Sequence, residues 1–189
     1  MYTQTIPLIL ASKSPRRQEL MQLMELDFKV LLKDVDESYP NELEPADIAC
    51  YIAEKKALAF IEERLTSLVI TADTIVAYNG EILGKPADAA DAKIMLTKLS
   101  GTTHQVYTGV SLAHKDKLVT FYDETEVCFR ELSEAEIEHY IIKYNPLDKA
   151  GSYGIQDWLG FIAVEKITGS YTNVMGLPTE KLYNALSNF

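Results

Sequence analysis

Two adjacent arginines, Arg16 and Arg17, follow Ser12-Lys13-Ser14-Pro15 directly after an apolar run, Ile6-Pro7-Leu8-Ile9-Leu10-Ala11. Ser14 suits an N-cap and Pro15 the first helical position, which puts both arginines in the first turn of a helix. The helix dipole disfavours cations there unless an anion lies between them. Open N–H groups at a helix start already attract anions, and the arginine fork matches phosphate. The cap, the proline and the arginine pair together favour an anion site over a solvated basic turn.

Asp73 is the sharper acid. It lies inside Val69-Ile70-Thr71-Ala72-Asp73-Thr74-Ile75-Val76, where an ionised carboxylate is costly unless paired, metal-bound or turned to solvent. The apolar residues on both faces of the segment favour a functional carboxylate. Lys85 stands in Gly80-Glu81-Ile82-Leu83-Gly84-Lys85-Pro86. This run is one residue short of a P-loop and carries proline in place of the metal-binding hydroxyl. The P-loop is rejected, but the lysine beside a proline is a placed cation.

Asp34-Val35-Asp36-Glu37-Ser38 resembles the nucleophile loop of haloacid-dehalogenase-type phosphatases, with Asp34 attacking phosphorus. Glu37 can instead face a metal–phosphate complex, and the whole run can be a solvated acidic loop. Asp148-Lys149-Ala150-Gly151-Ser152-Tyr153-Gly154-Ile155-Gln156 joins a cation, two glycines and an amide able to read a base edge. A second glycine loop runs from Gly169 to Pro178.

Alternation and helical spacing supply the elements that hold these residues. A first strand ends near Ala11, and a helix from Pro15 to about Leu26 presents Leu20, Leu23, Met24 and Leu26. A strand follows over Phe28 to Leu32, then an acidic loop from Asp34 to Glu44, and a long helix from Pro45 to about Leu65. The segment Leu68 to Tyr78 is the most β-like, and Asn79-Gly80 signals a type I′ hairpin into Glu81-Ile82-Leu83. A helix covers Asp88 to Leu99 with Ser100-Gly101 as its C-cap. Strands at His104 to Ala113 and Leu118 to Phe129 form an antiparallel pair. Ser133-Glu134-Ala135-Glu136 is a capping box for a helix ending near Tyr144. A last strand covers Phe161 to Ile167, and Pro178 opens the terminal helix.

The pattern reads as one α/β domain over 1–189 with two lobes around a cleft, its long antiparallel strands excluding a purely parallel sheet. The net charge of −10 opposes binding to nucleic-acid polymers but leaves room for a small anion in a local basic pocket. The first five residues lack a basic leader region and no apolar run reaches membrane-spanning length, so the cytoplasm is expected. Cys50 and Cys128 form neither a metal nor a redox spacing. Three scattered histidines make zinc improbable; carboxylate ligands favour magnesium or manganese.

Taken together, the segments resemble the Maf family of nucleotide pyrophosphatases, related in fold to the inosine triphosphate pyrophosphatases. The matching motifs are Leu10-Ala11-Ser12-Lys13-Ser14-Pro15-Arg16-Arg17, Val35-Asp36-Glu37, Lys56-Ala57, Ala72-Asp73-Thr74, Gly84-Lys85-Pro86, Leu99-Ser100-Gly101, Tyr107-Thr108-Gly109, Asp148-Lys149-Ala150-Gly151 and Val174-Met175-Gly176-Leu177-Pro178. The resemblance implies a mixed, strongly twisted sheet flanked by helices, and hydrolysis of a nucleoside triphosphate between its α and β phosphates with a divalent metal. It also suggests a homodimer.

The branch reported to act on dTTP and UTP pairs Arg-Arg with Asp-Thr and Tyr-Gly-Ile-Gln, all present here, which marks Arg16, Thr74 and Gln156 as specificity positions. On this reading Ser12, Ser14, Arg17, Lys56 and Lys149 bind phosphate. Asp73, Lys85 and Glu37 are catalytic, and Glu37 and Asp73 hold Mg2+ or Mn2+. Two other roles remain as alternatives: the phosphatase using Asp34, and a non-catalytic nucleotide-binding regulator of cell division.

Overall fold

The computed structural model describes residues 3–189. Met1 and Tyr2, the start of the segment read as lacking a leader, lie outside them. Seven strands form one mixed sheet: β1 (Leu8–Leu10), β2 (Phe28–Val30), β3 (Leu68–Tyr78), β4 (Glu81–Leu83), β5 (Thr103–His114), β6 (Lys117–Phe129) and β7 (Val164–Thr168). Their order is β2-β1-β3-β5-β6-β7, with β4 beside β3. Helices α1 (Pro15–Leu23), α2 (Pro45–Leu58), α3 (Ala89–Leu99), α4 (Glu134–Tyr144), α5 (Trp158–Ala163), α6 (Tyr171–Met175) and α7 (Thr179–Ser187) flank it. This is the expected mixed α/β class. β1 runs parallel to β2 and β3, whereas β4 on β3 and β7 on β6 are antiparallel.

The chain forms two compact units. The first takes the chain as far as Asp73, with Thr108–Asp123 and Gly176–Phe189; the second takes Thr74–Tyr107 and Glu124–Met175. In the first unit, Leu10 pairs with Ile70, so the loop leaving β1 starts beside Thr71, Ala72 and Asp73. The second unit is built on Val76, Leu83, Leu96, Leu99, Phe129, Tyr140, Tyr153 and their buried neighbours.

Most elements match the sequence reading. Asn79 and Gly80 both take positive φ, 50° and 78°, as a type I′ turn requires. Ser133 and Glu136 form the full capping box. Four expectations are corrected. The helix from Pro45 stops at Leu58 instead of Leu65, because its last turn tightens. Ala59 and Phe60 bond three residues back, and Phe60 drops against Ile9 and Val69. In α1 the buried face is Leu20 and Met21, while Leu23 is 72% exposed. Leu26 reaches the core through a turn whose Glu25 has positive φ.

Phe161 to Ala163 belong to α5, not to the last strand. Leu159, Gly160 and Ala163 are buried while Phe161 faces out, and a side chain at Gly160 would collide with the Ile155 carbonyl. Finally, the loop after Gly169 contains the short helix α6. No helix among the described residues is long and apolar enough to cross a membrane.

Candidate active site

The first unit holds seven of the expected site residues, Ser12, Ser14, Arg16, Arg17, Glu37, Lys56 and Asp73. Ser14 stands at the N-cap of α1 but its hydroxyl caps nothing. The stabilising oxygen is that of Ser12, which is buried. It accepts from the Ser14 N–H at 3.2 Å and from Arg17 Nη1 at 3.3 Å. The N-cap expectation is thus right about position and wrong about the atom: Ser12 braces the turn from two residues before. The first turn of α1 contains no acid, so its positive end is left to the arginines and to whatever anion they receive.

The two arginines are not equivalent. Arg17 donates through Nε to the Gly176 carbonyl at 2.7 Å and through Nη1 to the Ala72 carbonyl at 2.8 Å. It ties the β1–α1 loop, β3 and the segment before α7 together. Burial pushes its guanidinium down from the ordinary value; Asp73 opposes that shift, Arg16 adds to it and Glu37 opposes it. Arginine keeps its charge through such shifts. These influences place Arg16, Arg17, Glu37 and Asp73 in one electrostatic cluster.

Lys56 closes the cluster. Its ammonium donates to Asp73 Oδ1 at 2.7 Å and lies 2.8 Å from Glu37 Oε1. The Lys56 and Asp73 side chains are only 15% and 13% exposed, so that pair is largely desolvated, whereas Glu37 at the other end of the bridge is 47% exposed. Its neighbour Lys55 grips the same loop, bonding Asp36 Oδ2 at 2.9 Å and the Ser38 carbonyl at 3.1 Å. Lys55 and hydrogen bonds from Ser38 hold the Asp36 carboxyl far below its usual range, the Ser38 side chain contributing most. Asp34, by contrast, is fully exposed with Lys13 3.9 Å away, a poor setting for a nucleophile.

The second unit holds Thr74, Lys85, Lys149 and Gln156. Thr74 is half-buried on β3, and Lys85 is exposed after β4. The Gly151 N–H donates to the Gly84 carbonyl at 3.1 Å. Gly151 has φ of 64°, and a Cβ there would come within 2.9 Å of Val76 Cγ2; only glycine fits without strain. The loops carrying Lys85 and Lys149 are therefore joined beside β3. Lys149 is not a bare cation: it pairs with Asp148 at 2.9 Å and Asp157 at 3.6 Å.

Asp157 also accepts from the Tyr140 hydroxyl at 2.8 Å, which in turn accepts from the Gly154 N–H at 3.0 Å. This network, unread in the sequence, clamps the loop that ends in Gln156. The Gln156 Oε1 is buried and meets no hydrogen-bond donor, a cost that a bound donor would remove.

Comparison with solved structures places the fold. A Ham1 protein from Coxiella burnetii matches with a TM-score of 0.51 and 13% identity, over 98% of this chain and 100% of that one. One from Staphylococcus aureus matches with a TM-score of 0.50 and 16% identity. These show a shared fold. The chain itself belongs to the family described as Maf-like protein, whose model matches residues 7–189. Its relatives include a dTTP/UTP pyrophosphatase of Bacillus cytotoxicus, 53% identical over 96% of this chain and 94% of that protein. Another dTTP/UTP pyrophosphatase, from Flavobacterium johnsoniae, is 49% identical over 95% and 93%.

Proposed function

We propose that this chain hydrolyses dTTP and UTP between the α and β phosphates, giving the nucleoside monophosphate and pyrophosphate. The observation that carries the chemistry is the Glu37–Lys56–Asp73 bridge, supported by the names of relatives about half identical along nearly the whole chain. Water adds to the α-phosphorus, the bond to the bridging oxygen breaks, and pyrophosphate leaves. With Oδ1 held by Lys56, the other oxygen of Asp73 takes the water's proton. Arg16 and the open start of α1 receive phosphate oxygens, and Lys56 supplies positive charge as negative charge gathers on the leaving group. Arg17 holds the pocket together more than it grips substrate.

A divalent metal fits this donor set. Among the described residues no cluster of three or more His, Cys, Asp or Glu side chains makes a metal cage. Two carboxylates on one locus suit magnesium, which takes few protein ligands and completes its shell with phosphates and water. Glu37 would hold it, leaving the open oxygen of Asp73 to the attacking water, and when bound it would neutralise charge on the phosphates. Gln156 is the natural reader of the base. Its unmet oxygen would accept the N3–H that thymine and uracil share and cytosine lacks.

The deciding experiment incubates the protein with a nucleotide panel and magnesium and identifies the products. Pyrophosphate with dTMP or UMP is expected. Inorganic phosphate, or tight binding without turnover, would overturn the proposal.

A further inference from the structure

Lys56 reaches Asp73 from α2, and two contacts along a single helix face set the height and rotation of that helix on the sheet. Ala49, Ala53 and Ala57 recur every four residues and are all 0% exposed, a strip that allows close packing. At one end, a Cβ on Gly109 of β5 would stand 2.3 Å from the Ala49 carbonyl carbon and oxygen and 2.5 Å from the Cys50 nitrogen. The helix therefore rests on bare backbone. One turn on, the Thr71 hydroxyl, 0% exposed, donates to the Ala53 carbonyl at 2.6 Å. Three residues further along α2, Lys56 donates to Asp73 at 2.7 Å. Thr71 and Asp73 are two apart on β3, so both side chains leave the same face of the strand. Ala53 and Lys56 are three apart and neighbours on the helix surface.

We propose that Thr71, with Gly109 as its fulcrum, is a positioning residue that sets the register of α2 and so places the Lys56 ammonium between Asp73 and Glu37. The proposal rests on the pyrophosphatase reading for its kinetic consequence, though not for its structural one. The Thr71 bond is local, directional and buried. It resists both sliding and rotation of the helix, which packing of methyl groups alone resists weakly. A shift of about 1 Å at a catalytic group can lower turnover a hundredfold.

The test compares the wild type with Thr71→Val, which keeps shape and removes the hydroxyl, and with Thr71→Ser, which keeps the hydroxyl. Pyrophosphate release from dTTP, thermal unfolding and a crystal structure are measured for each. For Thr71→Val, kcat is expected to fall about tenfold to a hundredfold with KM within about twofold. Thr71→Ser is expected to recover most of that loss. In a Lys56→Met background, Thr71→Val is expected to change residual turnover less than about twofold, since its effect runs through the lysine. In the Thr71→Val crystal, Lys56 Nζ should lie beyond hydrogen-bond distance of Asp73.

A lower melting temperature with unchanged kcat, or an unmoved Lys56 in that crystal, would overturn the proposal. A wild type that releases no pyrophosphate would instead defeat the functional reading, and the crystal would still judge the positioning role.

Discussion

Arg17 and Gly176 lie 159 residues apart, yet the Arg17 Nε donates to the Gly176 carbonyl at 2.7 Å. The same guanidinium holds Ala72, the residue before Asp73, at 2.8 Å. One side chain therefore fixes three segments of the first unit against each other next to the acid proposed to activate water. Arginine does this because its donors form a rigid fork; a lysine presents a point charge and cannot bridge the same carbonyls.

Replacing Arg17 by methionine should accordingly cost stability. Loss of its bonds to Ser12, Ala72 and Gly176, made by a charged donor, predicts a fall of about 3 kcal/mol in unfolding free energy, read from urea titration. Arg16→Met should weaken dTTP binding about tenfold, one phosphate contact's worth.

Asp73→Asn keeps the shape of the side chain and removes its basicity. Pyrophosphate release should drop at least about a hundredfold, while circular dichroism stays that of the wild type. Near-normal turnover would remove Asp73 from the mechanism.

Gln156→Leu separates stability from selectivity. It removes a buried oxygen that meets no donor, so thermal stability should hold or rise slightly. Discrimination of dTTP and UTP over CTP, measured as kcat/KM ratios, should fall about tenfold or more.

His104 supplies an acid-sensitive element in the second unit. It is buried against Phe129 and Tyr153 and shares a 2.8 Å hydrogen bond with the Tyr153 hydroxyl. Burial pushes its pKa down to about 4 from the ordinary 6.5. The folded state thus favours neutral imidazole. That contribution is fully present above pH 6.5 and is lost as the pH falls towards 4, on the order of 3 kcal/mol in total. His104→Phe should flatten the stability profile between pH 6.5 and 4, measured by urea midpoints at intervals across that range. An unchanged slope would show that other groups set it.

Much of this protein was legible in the chain. The β1–turn–α1 opening, the β-rich segment around Asp73, the Asn79-Gly80 hairpin and the Ser133 capping box are local: a few neighbouring side chains and backbone preferences decide them. The acids and cations of the site were legible by type, since a carboxylate within Leu68–Tyr78 and paired arginines at a helix start both need partners. What each partner is was not written locally. Sequence placed Ser14 at the N-cap, where it stands, but the oxygen that braces the turn is that of Ser12, which also accepts from Arg17. Sequence offered Arg17 and Lys149 as phosphate ligands, and the fold surrounds them with carbonyls and carboxylates. It also stopped α2 at Leu58 so that Phe60 could fill the space between Ile9 and Val69.

The sequence alone therefore determined the elements and the chemical inventory, through interactions spanning a few residues. Only the tertiary structure decided that Lys56 bridges Glu37 and Asp73 and that Gly109 and Thr71 seat its helix. Those contacts join segments 17 to 60 residues apart, and their distances depend on packing the whole first unit at once.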